Sequence, residues 1–305
     1  VDQARLGLFP LVGVTLDSLD RTCHVQGMEQ AFSSQTDGRG RPIPLHGPDG
    51  FAAMRKAGQL AALTLDFIAD HVRKGVTTLE LDQLCERFMR DHNGVPATIG
   101  YRGYQHASCI SVNHVVTHGI PSSSKVLKSG DILNIDVTPL VDGWHGDSSR
   151  MYVVGDASVK AKRLVQTTYD AMMAGIAAIK PGATFGDLGF ACGGLAKRAG
   201  YSVVHAFCGH GVGRIFHDAP NVHHDGKPGE GIVFEPGMIF TVEPMINIGK
   251  ADVSILPDGW TTITRDRSLS AQFEHSVGVT ADGVEIFTLS PHGHTCPPYP
   301  LPPYS

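Results

Sequence analysis

From residue 49 onward apolar positions recur with a helical period, Met54, Leu60, Leu63, Leu65, Ile68 and Val72 falling on one stripe. This spacing predicts a helix that ends near Gly75. A second helix is opened by Thr77-Thr78-Leu79-Glu80, which has the form of a capping box, and runs through Leu84 and Phe88 to Asn93-Gly94. The arrangement returns 107 residues later: a helical stretch from Val159 to Ile179, then Pro181-Gly182-Ala183-Thr184-Phe185-Gly186-Asp187-Leu188, and a further helix ending at Gly200. Gly75, Thr77, Glu80 and Leu81 match Gly182, Thr184, Asp187 and Leu188 at that one offset. After each helix pair the pattern changes to strand-like runs, 109–116, 131–138 and 145–154 in the first half and 238–248 and 270–280 in the second. Two related α-then-β halves are expected, although the match is short and capping chemistry alone also produces duplicated helix pairs.

The flanks differ from this body, taken as residues 49–290. Residues 1–48 lack sustained periodicity and end in a Gly- and Pro-rich run, so they are expected to form an extension or linker with little core of its own. The tail 291–305 contains six prolines and no charged residue, which predicts a loose polyproline-type segment; Pro300-Leu301-Pro302-Pro303 also has the composition of an SH3 ligand.

Composition places the chain among globular proteins: 305 residues, 42% hydrophobic and 18% charged, with a mean hydropathy of -0.04. The net charge of -5 offers no basic field for a phosphate backbone, so no nucleic-acid partner is expected. The six cysteines contain no C-x-x-C pair and read as reduced thiols. No run approaches the ~20 apolar residues of a membrane helix. The short apolar stretch near the N-terminus is preceded by Asp2 and interrupted by Pro10, unlike a secretory signal. A cytoplasmic protein without a membrane partner is therefore expected.

Three carboxylates interrupt strands that otherwise look buried: Asp136 in Ile132–Val137, Glu243 in Ile239–Ile246 and Glu274 in Phe273–Val277. Asp147 is a fourth, separated from Asp136 by Asp142-Gly143, the natural centre of a hairpin that would set the two aspartates side by side. Each alone fits an acid facing solvent on an edge strand, or one paired with a cation such as Arg150. Four together are costly in an apolar setting unless they are paired or bound to metal. His210, between Gly209 and Gly211, is a plausible fifth ligand, the glycines letting the backbone crowd an object beside the imidazole. Oxygen donors with one imidazole suit Co, Mn, Fe or Zn in a reactive site rather than a Cys-rich structural zinc. Four carboxylates balance two divalent ions, which points to a two-metal hydrolase.

These segments, together with Ser111–Pro121, Gly146–Tyr152, Cys208–His217, Thr241–Met245 and Ser270–Ser276, resemble the type I methionine aminopeptidases of the pita-bread metallopeptidase family over residues 50–290. The resemblance implies an α+β fold, with two pseudo-symmetric α-β halves around a curved, mainly antiparallel sheet. It implies Asp136 on one metal ion, Asp147 and Glu274 bridging both, and His210 and Glu243 on the other, with Glu243 also shuttling a proton. His118 would contact the scissile amide and His217 would steady the oxyanion, while Tyr101, Tyr104, Cys109, Phe216 and Trp260 would line a methionine slot. The expected activity is removal of N-terminal methionine before a small second residue, from nascent polypeptides near the ribosome, by a monomer. Thr117 and Thr98 stand where relatives often have Cys, and His114 where Glu is common, which bears on fine specificity. The extension has only Cys23 and does not match the zinc-finger module of eukaryotic relatives. An X-prolyl aminopeptidase or prolidase of the same fold would share the five ligands but not the pocket motifs. A non-catalytic pita-bread binding protein would typically lose ligands.

Overall fold

The computed structural model describes residues 30–299. Four helices, α1 (Pro48–Ala69), α2 (Thr78–Asp91), α3 (Val159–Ala177) and α4 (Phe185–Arg198), pack as two pairs, α1 on α2 and α3 on α4. Both capping boxes form: Thr77 Oγ1 accepts from Glu80 N while the Glu80 carboxylate accepts from Thr77 N, and Thr184 and Asp187 repeat the exchange. α1 stops at Ala69, short of Gly75; that glycine lies at φ 93, in the connection to α2.

The 107-residue offset extends beyond the helix caps. Gly75 N donates to Leu127 O and Leu127 N to Val76 O; at the same offset Gly182 N donates to Phe234 O and Phe234 N to Ala183 O. The isolated bridge Thr77–Val126 is repeated by Thr184–Val233, and Gly130 (φ 96) by Gly237 (φ 99). Equivalence of backbone hydrogen bonds between distant segments does not arise from capping chemistry. The two halves are therefore related as folds.

Each half places its helices on one side of an antiparallel sheet. In the first, Ser108–Val112, Ile132–Val137 and Ser148–Val153 pair in that order. Successive strand residues point to opposite faces, so Leu133, Ile135 and Val137 pack against Leu65, Ile68, Leu81 and Met89 of α1 and α2. Asn134 and Asp136 then face the other way. In the second half Gly209–Gly211, Ile239–Val242 and His275–Val279 adjoin in a five-stranded sheet. There Phe240 and Val242 join the core beneath α3 and α4, leaving Thr241 and Glu243 for the opposite face. The two sheets meet where Glu274 N donates to Ser149 O, Ser148 Oγ to Glu274 O and Ser276 Oγ to Asp147 O. Their seam thus carries carboxylates from both halves.

Two boundaries differ from the expectation. Residues 31–45 are not a linker: Ala31–Thr36 and Pro42–Leu45 form an antiparallel pair, Ile43 enters the main core, and the compact unit begins at Ala31 rather than 49. The segment docks largely through polar contacts that a hydrophobic pattern does not reveal, such as Ser33 Oγ to Glu235 and Gln35 Nε2 to Val233 O. The start of the tail is also ordered, with Tyr299 donating to Met151 O at 2.7 Å and packing edge-on against Tyr152. Residues 1–29 and 300–305, including Cys23 and the whole of the SH3-like run, lie outside the described residues. Cys85, Cys109, Cys192, Cys208 and Cys296 are free thiols, and no described helix is long and apolar enough to cross a membrane.

Candidate metal centre and substrate cavity

All twelve residues expected to carry the chemistry line one cavity of about 570 Å³: the four acids and one imidazole expected to hold metal, His118, His217, and the five pocket residues. Asp136 is inside a strand, as read from the sequence. Glu243 and Glu274 are not; each sits in a break, between Ile239–Val242 and Met245–Asn247 and between Ser270–Gln272 and His275–Val279. A break frees the carboxylate from the alternation of the ladder. The hairpin Pro139–Val141/Trp144–His145 turns at Asp142 (φ 51) and Gly143 (φ 79), both left-handed as a type I′ turn requires, and delivers Asp147. Asp147, His210 and Glu274 offer donor atoms within 4.8 Å of one another.

The glycines beside His210 serve the strands around it. A Cβ at Gly209 would lie 2.4 Å from Thr241 O and one at Gly211 1.9 Å from Ala219 O, so the crowding comes from neighbouring strand backbones. His210 N donates to Thr241 Oγ1, and its Nδ1 faces Gly211 O at 3.1 Å. A proton on Nδ1 leaves Nε2 as the free lone pair, 3.5 Å from Asp147 Oδ2 and 3.6 Å from Glu243 Oε1. Burial lowers the His210 pKa to about 4, so it is neutral at pH 7.

The acids are held by neutral groups. Thr138 Oγ1 donates to Asp147 Oδ1 at 2.7 Å, Thr241 Oγ1 to Glu243 Oε1 at 2.8 Å and Gln272 Nε2 to Glu243 Oε2 at 3.2 Å. His224 Nε2 accepts from Glu243 N, fixing the backbone there. Among the described residues no lysine or arginine reaches Asp136, Asp147, Glu243 or Glu274, and Arg150 is instead paired with Asp66. Burial and the Asp147 charge hold Asp136, Glu243 and Glu274 well above the usual carboxylate range, and burial pushes Asp147 up to about 7. Four buried acids without a counter-cation, facing a neutral imidazole, have the donor chemistry of a site for divalent metal.

Aromatic groups enclose the rest of the cavity. Tyr104 meets Trp260 edge-on at 4.9 Å, Tyr101 lies 5.0 Å from Phe216, and Tyr101 stacks on His217 at 5.1 Å. His118 has φ 56, a left-handed conformation uncommon for a non-glycine residue, and its ring contacts Phe207 and Trp260. Burial lowers His118 to about 4 and His217 to about 3. Thr98 and Thr117 line the cavity; His114 does not, and instead accepts from Arg267 at 3.0 Å. Sequence reasoning missed Arg102, Thr138, Phe207, Cys208, Met245, Ile255, Gly259 and Thr262 as lining residues. Of these, Phe207, Cys208 and Met245 adjoin or lie within segments already singled out.

Residues 52–281 match the model of metallopeptidase family M24. A methionine aminopeptidase of Rickettsia prowazekii is 55% identical over 258 residues, 84% of this chain and 99% of that protein. One from Escherichia coli K12 is 45% identical over 248 residues, 81% of this chain and 94% of its own. The crystal structure of the Rickettsia enzyme superposes with a TM-score of 0.80 at 56% identity, covering 81% of this chain and all of that one. A prolidase from Pyrococcus furiosus shares the fold at a TM-score of 0.66 and 21% identity, covering 80% of this chain and 65% of its own. The chain belongs to metallopeptidase family M24, with the pita-bread fold of that family.

Proposed function

We infer that the chain is a methionine aminopeptidase, a metal-dependent exopeptidase that removes N-terminal methionine before a small second residue. The observation that carries this is that five candidate metal-ligand side chains and an aromatic-lined slot share one cavity, in a chain so similar to methionine aminopeptidases. Residues 218–242 hold two strands and no helix, which supports the type I form without an inserted helical subdomain.

Asp136, Asp147, His210, Glu243 and Glu274 would hold two divalent ions, Co, Mn, Fe or Zn. When bound, the metal supplies Lewis acidity and activates water near neutral pH. Glu243, oriented through both carboxylate oxygens by Thr241 and Gln272, accepts the proton of the attacking water and returns it to the departing amine. His118 and His217 are neutral at pH 7, so each presents an N–H: His118 to the scissile amide, His217 to the oxygen on which charge develops. Tyr101, Tyr104, Cys109, Phe216 and Trp260 enclose the methionine side chain, whose unbranched thioether suits an apolar, polarisable slot.

The substrates are then the N-termini of newly made chains in the cytoplasm, met near the ribosome and cleaved by a monomer. A panel of Met-X-Ser peptides, assayed with Ala-Pro-Ala under saturating metal, tests the activity. Gly, Ala and Ser at X are cleaved and Lys, Glu and Leu largely spared, because a rigid site rejects oversized groups sharply. Preference for Ala-Pro-Ala would transfer the chain to the prolidase reading.

A further inference from the structure

Arg102 is the one lysine or arginine among the described residues that line the cavity, and its side chain is exposed at the lip. The turn that carries it is tightly held. Gly100 N donates to Tyr104 O at 2.7 Å and Tyr104 N to Tyr101 O at 3.0 Å. Arg102 itself adopts φ 48, ψ 29, between Gly100 at φ 86 and Gly103 at φ 88. A bulky residue in the left-handed region is held there by its surroundings, and such strain clusters where a side chain must be aimed.

The guanidinium lies over the Tyr101 ring at 5.4 Å; that ring stacks on His217 at 5.1 Å, and His217 lies 4.2 Å from the His210 ring. Arg102 is therefore three contacts out from a metal-ligand residue, on the column that carries His217. Among the described residues no carboxylate lies within ion-pair distance of Arg102. Asp258, beside the cavity-lining Gly259 and Trp260, is occupied by the amides of Trp260 and Thr261 at 2.9 and 2.8 Å. An extended chain advances about 3.4 Å per residue. With the first side chain in the aromatic slot and the second residue at the reacting centre, the third and fourth residues pass the lip.

We propose that Arg102 is a specificity-determining residue that pairs with a carboxylate on the substrate's third or fourth residue, favouring acidic over basic side chains there. The proposal rests on the aminopeptidase reading. It concerns binding alone, because Arg102 touches no reacting atom.

The test uses metal-loaded full-length protein and C-terminally amidated peptides Met-Ala-X-Gly-Ser and Met-Ala-Gly-X-Ser, with X as Asp, Glu, Ser or Lys. At one or both positions kcat/KM for Asp exceeds that for Lys by about fivefold at low salt, the difference residing in KM and shrinking as salt is raised, as for an exposed ion pair. Arg102→Gln levels the series and Arg102→Glu reverses it. These are ratios within one preparation, so a smaller folded fraction in a variant cancels. A parallel Met-Ala-Ser pair, free acid against amide, shows whether a terminal carboxylate serves equally, in which case the free acid gains in the wild type and not in Arg102→Gln. Cleavage of Met-Ala-Ser amide with no dependence on X at either position overturns the role of Arg102, as does an unchanged Asp preference in Arg102→Glu. Failure to cleave any member of the set overturns the aminopeptidase reading instead.

Discussion

Removing the metal should make the folded protein less stable as pH rises from 7 to 8. Asp136, Glu243 and Glu274 are pushed well above the usual carboxylate range, chiefly by burial. In the metal-free fold they keep protons that the unfolded chain has already lost. Stability changes with pH in proportion to protons bound by the unfolded minus the folded state, so each retained proton lowers it by about 1.4 kcal/mol per pH unit. Asp147, raised to about 7, adds part of a proton at the start of the window. The buried histidines act with the opposite sign. His118 and His210 at about 4 and His217 at about 3 weaken the fold as pH falls below the unfolded value of 6.5. Above pH 7 that contribution is nearly complete. Buried thiols such as Cys109, also raised by burial, add their loss only as the unfolded thiols ionise, near 8.5. Between pH 7 and 8 the carboxylates therefore dominate, and one or two retained protons remove about 1.4–3 kcal/mol, a visible share of a typical domain's stability. Urea unfolding at pH 7.0, 7.5 and 8.0 with chelator, then with saturating metal, measures this. The midpoint should fall with pH in chelator and stay flat with metal, and titration calorimetry in two buffers should show proton release on metal binding. Glu274→Gln should make the metal-free slope shallower. A metal-free midpoint that stays level or rises across the window refutes the reasoning.

Replacing His118 with Ala should reduce kcat by about 10²-fold or more with metal content unchanged, whereas His210→Ala should lose metal; metal analysis beside turnover separates them, and equal metal loss in both would void the assigned roles. Gly146→Ala places a Cβ 2.1 Å from Ala57 O in α1, next to Asp147, and should cost about 1–3 kcal/mol; an unchanged melting temperature contradicts the contact. Asp66, buried against Arg150 and also met by Ser290, His292 and His294, ties the tail to the strand Ser148–Val153. Its replacement by Asn should cost about 3–5 kcal/mol in urea unfolding, since Arg150 is left buried without its partner; a loss under 1 kcal/mol would show the pair to be dispensable.

The features that could be read along the chain are those whose cause is local. Capping boxes at Thr77 and Thr184 need only a hydroxyl and a carboxylate three residues apart, and both formed. An acid inside an apolar strand is likewise visible in sequence, because the free energy of burying it is a property of its immediate neighbours. The 107-residue offset held more than the caps suggested: it also relates Asp136 to Glu243, and Asn134 to Thr241, so equivalent positions of the two halves, one inside a strand and one just past a strand's end, each contribute an acid to the cavity. What was missed depends on contacts between distant segments. Thr138 is unremarkable in sequence, and its use as donor to Asp147 exists only once the hairpin at Asp142-Gly143 has turned. The pair of strands in residues 31–45 was hidden because it is fastened largely by Ser33, Gln35 and Asp37 rather than by an apolar stripe. Tyr299 gave no signal because its partner, the carbonyl of Met151, is supplied by a strand 148 residues away. The same distinction explains Arg102: its charge is evident in the sequence, but the lack of a carboxylate partner and its place above Tyr101 and His217 are properties of the folded lip.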